Sequence, residues 1–256
     1  MLWSLFENPA YFLLMIPAVL IALVVHEVSH GYAAYLCGDN TAKAYGRLTL
    51  NPLKHLDPFG AIMMMLTGFG YAKPVPVNYR NLRKPRRDIA LVSLAGPLSN
   101  LLLALIACVL YFVILLVYAS SAEVRAETVA AGIRWLPSPA VMYDQAGLMS
   151  LLFMGEVPTL LAAFMEFLAL FASVNVGLAV FNLIPMPPLD GSRIVAAFLS
   201  DRAMYTYYRY QNLFVMVMFL LLLSGALSGP LATAQTFFAN IIFSLARAPF
   251  QLFGLL

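Results

Sequence analysis

The chain has 256 residues, 62% of them hydrophobic and 11% charged, with a net charge of +3 and a mean hydropathy of +0.85. A soluble domain carries about twice that fraction of charge, so the composition excludes a water-soluble globule and predicts an α-helical polytopic membrane protein, one integral-membrane domain over residues 1–256. The small positive charge excludes nucleic acid as a partner, and two cysteines, Cys37 and Cys108, in or near separate apolar segments exclude a disulfide framework.

The first apolar stretch predicts a transmembrane helix near 11–36, kinked at Pro17 and stopped by Gly38-Asp39-Asn40. It has no basic segment ahead of it and runs straight into His26, so it reads as a retained helix and not as a cleaved leader. Inside it lies His26-Glu27-Val28-Ser29-His30. Residues four apart share a helix face, so both imidazoles can bind a single Zn²⁺, with Glu27 beside it as the proton acceptor for water. Ionisable side chains are costly at bilayer depth, and three in five residues read as functional; the alternative is a buried polar network that holds helices together.

Next in the chain, Gly46-Arg47-Leu48-Thr49-Leu50 and Val75-Pro76-Val77-Asn78-Tyr79 show short strand-like alternation, which predicts a small membrane-associated β-sheet. Between them, the apolar run 59–71 is too short to cross a bilayer and suits a re-entrant or interfacial hairpin. His55 lies in a polar loop, where an auxiliary role near the metal competes with a solvated or hydrogen-bonded loop histidine. The cluster Arg83 to Arg87 reads as an anchor to anionic lipid headgroups.

Further spans are predicted near 89–118, 158–184, 210–228 and 232–250, for about five to six transmembrane helices in all, with an extramembrane loop over 120–147. Nine of the fifteen Lys and Arg residues fall between Lys43 and Arg87, which places that segment in the cytoplasm, the N-terminus outside and the active site toward the cytoplasm.

The segment Asn182-Leu183-Ile184-Pro185-Met186-Pro187-Pro188-Leu189-Asp190-Gly191 ends the 158–184 span at the same side. Its three prolines forbid continued helix, and extended backbone at membrane depth is tolerated only where protein or a water-filled cavity covers it. The break can fold Asp190 back toward the first helix as a third zinc ligand, leaving a fourth position for water; a plain Asp-Gly turn is the alternative. Asn175 and Asn182 lie two turns apart on one face of the helix that leads there, and either holds helices together or orients substrate and donates to a developing oxyanion. Glu166 is a further carboxylate in that span, without an evident partner.

The pairing of HEVSH with the later FNLIPMPPLDG resembles the site-2 protease family of intramembrane zinc metalloproteases, and GRLTLNPLKHLDPFG and AGPLSN resemble its compact prokaryotic members. The likeness covers nearly the whole chain. It implies one zinc per chain on His26, His30 and Asp190, Glu27 as general base, and cleavage of single-span or membrane-anchored substrates near the cytoplasmic side of a prokaryotic inner membrane. Neither the PDZ domain nor the CBS domain of some members is expected in this chain. Two other readings, a membrane zinc transporter and a non-catalytic scaffold, are disfavoured because related helix halves are missing and Glu27 is present.

Overall fold

The computed structural model describes residues 9–57, 60, 73–121 and 159–252. Its helices are α1 (Pro9–Leu36), the single turn α2 (Thr41–Ala44), α3 (Pro85–Ser121), α4 (Thr159–Asn182), α5 (Asp190–Phe198), α6 (Asp201–Arg209), α7 (Gln211–Leu223) and α8 (Ser228–Leu252). Two 3₁₀ turns, Pro52–Lys54 and Tyr79–Asn81, punctuate the connection between α2 and α3. The predicted re-entrant hairpin at 59–71 and the loop at 120–147 lie outside the described residues, apart from Gly60 and the last turn of α3.

Three helices are long and apolar enough to cross a membrane, over Tyr11–Leu36, Pro85–Val117 and Leu160–Asn182. The predicted separate spans at 210–228 and 232–250 need correction. The 13 residues of α7 rise only about 20 Å, well short of the roughly 30 Å hydrocarbon core. Thr233, Gln235, Thr236, Asn240, Ser244 and Arg247 dilute the apolar character of α8. Among the described residues the structure therefore holds three candidate spans, or four if the sharply bent α7–α8 pair makes one.

The predicted β-sheet is also corrected, for no strand occurs among the described residues. The reason lies in the backbone donors. Pro74 and Pro76 have no N–H, and the neighbouring amides are spent elsewhere: Lys73 on the His55 carbonyl at 2.8 Å, Val75 on the Glu27 carboxylate at 2.9 Å and Asn78 on the Asp39 carboxylate at 2.7 Å. On the other predicted strand, the Arg47 amide closes a turn onto the Ala42 carbonyl at 2.9 Å, and the Thr49 carbonyl is taken by His55 Nε2 at 2.8 Å. A ladder between the two segments is left without these donors and without the Thr49 acceptor.

The described chain forms two compact units. The first comprises residues 1–100 and 178–229, the second 101–177 and 230–256. In the first, α1 ends where Gly38 takes φ +111°, a conformation that glycine adopts without a Cβ penalty. The amides of Cys37, Gly38 and Asp39 close onto the carbonyls of Ala33, Tyr35 and Ala34. Ala34, Leu82 and Val92 form a small buried cluster, with Ala33, Cys37, Val77, Tyr79 and Ile89 packed against it.

Beside that cluster sits Asp39, fully buried. Its carboxylate accepts from the Thr41 amide and hydroxyl, the Asn78 amide and the Asn81 side chain at 2.8 Å. Burial pushes its pKa up, but these donors outweigh it and hold the group below the ordinary aspartate value. The second unit is aromatic at its centre. Phe112, completely buried, meets Phe243 and Phe250 at ring separations of 5.2 and 5.8 Å.

Candidate metal centre

Helix α1 places His26 and His30 one turn apart, with ring centroids 4.6 Å apart and planes at 88°. Their Nε2 atoms converge at 3.0 Å. The prolines of 185–188 end α4, and a chain of turns carries the backbone to α5, with Met186 N–H on the Ile184 carbonyl, Leu189 N–H on the Met186 carbonyl and Ser192 N–H on the Leu189 carbonyl. Asp190 opens α5. Gly191 follows because any Cβ there would collide with the carbonyls of Leu183 and Ile184, so the first turn of α5 is pressed against the end of α4. The outcome is that Asp190 Oδ2 lies 3.1 Å from each histidine Nε2.

Protonation can be assigned from the partners. His30 Nδ1 lies 2.7 Å from the Val92 carbonyl, which can only accept, so His30 donates from Nδ1 and, as a neutral imidazole, presents a bare Nε2. His26 Nδ1 lies 2.6 Å from Asn100 Oδ1. The Asn100 amide is itself oriented by donating from Nδ2 to the Ala22 carbonyl at 3.2 Å, which turns its oxygen toward His26. Both Nε2 lone pairs and a carboxylate oxygen therefore face one another within 3.1 Å. Three acceptors so placed repel unless a metal ion or a shared proton sits among them. Ligands about 2.1 Å from a tetrahedral zinc lie about 3.4 Å apart, so this triangle fits such an ion with an adjustment of a few tenths of an ångström. His26, His30 and Asp190 are the group of metal-binding side chains found among the described residues.

Helix α3 supplies the other wall. A Cβ on Gly96 would lie 2.5 Å from His30 Nε2 and 2.6 Å from His26 Cε1, so only glycine lets this helix approach the pair. Pro97 follows inside α3. It lacks the N–H that would bond the Ser93 carbonyl, which loosens the turn whose adjacent Val92 carbonyl receives His30. Asn100, Val92 and Gly96 are site residues that the sequence reading does not single out, although AGPLSN, which holds Gly96 and Asn100, is part of the family resemblance. The one local signal was an asparagine three residues past a Gly-Pro pair in an apolar helix.

Glu27 stands outside the triangle, half-buried, with Oε2 accepting from Val75 N–H at 2.9 Å. His55 is almost completely buried and donates from Nε2 to the Thr49 carbonyl, as a hydrogen-bonded loop histidine, and it is not in the metal group. Asn182 Nδ2 donates to the Leu178 carbonyl at 3.0 Å, and Asn175 Nδ2 to the Phe171 carbonyl at 2.8 Å, each within α4.

Residues 14–225 match peptidase family M50, and the match takes in both halves of the triangle. The chain belongs to peptidase family M50, the site-2 proteases. Among M50 relatives, "Putative zinc metalloprotease YwhC" of Bacillus subtilis is 41% identical over 189 residues, 72% of this chain and 70% of the relative. "Putative zinc metalloprotease Rip2" of Mycolicibacterium smegmatis is 35% identical over 100 residues, 37% of this chain and 38% of the relative. The Mycobacterium tuberculosis protein of the same name is 28% identical over 218 residues, 82% of this chain and 67% of the relative. No solved structure matches this M50 chain significantly.

Proposed function

We propose that His26, His30 and Asp190 hold the zinc ion of this protein and that Glu27 is its general base. The protein is an integral-membrane zinc metalloprotease that acts on membrane-anchored substrates. One observation carries the assignment of residues: two bare imidazole nitrogens and a carboxylate oxygen converge within 3.1 Å, on helices from opposite ends of the matched region.

When bound, zinc supplies Lewis-acid polarisation of water and of the scissile carbonyl. The residues do the rest. Asn100 and Val92 fix the two imidazoles in the tautomer that leaves Nε2 free. Glu27, adjacent in sequence to His26 but outside the triangle, takes the proton from the attacking water and passes it to the leaving amine. A substrate helix hides its carbonyls in internal hydrogen bonds, so it must unwind locally before attack.

Asn182 has one N–H committed to Leu178 and is assigned to offer the other to the substrate carbonyl as charge develops. The full burial of Asn175 supports the helix-holding role for that residue. The concentration of Lys and Arg between Lys43 and Arg87 supports an active site on the cytoplasmic side and an outside N-terminus; the bacterial relative supports a prokaryotic cell membrane, and single-span proteins are the substrates proposed. The family match spans both structural units, which supports residues 1–256 working as a single protease domain.

The test separates metal from chemistry. Glu27→Gln should keep about one zinc per chain and lose cleavage by about 10²- to 10⁴-fold, the range for a positioned acid–base group, while His26→Ala and Asp190→Ala should lose both. Co-expression with a tagged library of single-span proteins would show fragments only with the wild type. Cleavage by Glu27→Gln at the wild-type rate would refute the base assignment.

A further inference from the structure

We propose that Arg47 is a positioning residue for the Glu27 carboxylate, acting through the single peptide group between Pro74 and Val75. The inference rests on the reading of Glu27 as general base.

The N–H of that peptide group, on Val75, donates to Glu27 Oε2 at 2.9 Å. Its carbonyl, on Pro74, accepts from Arg47 Nη2 at 3.3 Å, and the same nitrogen donates to the Lys73 carbonyl at 2.8 Å. A cation and an anion thus grip opposite ends of one planar unit. Because the peptide is rigid, fixing its oxygen fixes the direction of its N–H. A charged donor on the carbonyl also polarises the group and strengthens the N–H as a donor. Among the described residues this is the hydrogen bond that orients Glu27.

Both hydrogen bonds of Arg47 go to the strap, at the Lys73 and Pro74 carbonyls. It is 9% exposed, and among the described residues it pairs with no carboxylate. Its Nε is buried without a hydrogen-bond partner. A buried guanidinium left this way is costly, and what it holds in return is the strap whose next amide, Val75 N–H, meets Glu27.

The strap that carries the peptide is built to stay. Lys73 N–H is tied to the His55 carbonyl and Asn78 N–H to Asp39. Val75 is buried, and it seats on α1 at Gly31, where a Cβ would lie 2.7 Å from Val75 Cγ1 and 2.8 Å from Leu48 Cδ2. Gly31 is one turn beyond Glu27 on the same helix face. The side chain and the amide of Val75 therefore dock together on the face that bears the base, as befits a fixed support and not a removable plug.

The experiment uses the full chain in liposomes with a fluorophore-quencher-labelled single-span peptide whose helix is loosened by glycines. It also records the ¹³C-edited infrared band of the Glu27 carboxylate, identified by its loss in Glu27→Gln. Arg47→Ala should lower turnover by about 10- to 100-fold, the scale of a small misplacement of a reacting group, with KM and zinc content unchanged. Arg47→Lys should recover most of it, because an ammonium can still reach the Pro74 carbonyl. Val75→Pro removes the N–H itself, so Arg47→Ala should cost nothing further in that background, and both variants should shift the carboxylate band alike. Losses that multiply in the double variant, a band unmoved by Arg47→Ala, or faster turnover on loosening the strap would each overturn the proposal. Full turnover by Glu27→Gln would instead overturn the base assignment, while a shared band shift would still report the coupling.

Discussion

At the scale of residues, the proposed metal centre is supported by groups outside the ligand triangle. Asn100 fixes the tautomer of His26 and is fixed in turn by Ala22. Replacing it by alanine leaves His26 Nδ1–H buried without its acceptor and frees the ring to take the wrong tautomer. Asn100→Ala should weaken zinc binding by about 10- to 100-fold, measured by competition with a chelator of known affinity; an unchanged affinity would remove Asn100 from the site. Gly96 sets two effects against each other. Alanine is the better helix former by about 1 kcal/mol, but its methyl would enter the space between the two imidazoles. Gly96→Ala should therefore keep or raise helix content by circular dichroism while zinc binding is lost. The histidine pair was legible in the sequence because a helix converts a spacing of four into one face, and Asp190 because prolines announced the break that returns it. Asn100 was not, since its partner lies 74 residues away and no local periodicity links them.

At the scale of elements, the long spans were legible from apolar length alone, and α1, α3 and α4 lie where hydropathy placed them. The segments 46–50 and 75–79 were misread because alternation reports which side chains face inward and not where the amides bond. Here prolines and buried carboxylates consume the donors that a sheet would use. Asp39 is central to that arrangement, collecting donors from Thr41, Asn78 and Asn81. Its folded pKa lies below the ordinary value. Its ionised form is thus the one the fold favours, and its stabilisation is full above the unfolded pKa of about 3.9 and lost as pH falls through the lower folded value. Asp39→Asn should destabilise the protein by about 2 to 3 kcal/mol at pH 7, the scale of a hydrogen bond to a buried charge. That penalty should shrink as the pH falls below about 4, where Asp39 of the unfolded chain takes up its proton first, and end below the lower folded pKa, where the native wild type has lost the same charge. Thermal unfolding of both proteins across that range measures it, and a penalty independent of pH would show that the charge is not what holds the loop.

At the scale of the whole molecule, membership of family M50 and a largely buried His-His-Asp triangle speak for hydrolysis and not for transport, which needs ligands strung along a path. The proposed sidedness rests on the basic segment Lys43 to Arg87. Cysteines introduced outside the family's catalytic motifs, at Lys54 and Ser228, should be tested in oriented vesicles with a membrane-impermeant thiol reagent; Lys54→Cys should label only from the cytoplasmic face. The claim on which everything else rests is the identity of the three ligands. Zinc-edge X-ray absorption on the purified Glu27→Gln protein measures it most directly. The account predicts about one zinc per chain with two imidazole nitrogens and at least one carboxylate oxygen at roughly 2.0 to 2.2 Å, and loss of that signal in Asp190→Ala. A sulfur neighbour at about 2.3 Å, or a spectrum unaltered by Asp190→Ala, would contradict it.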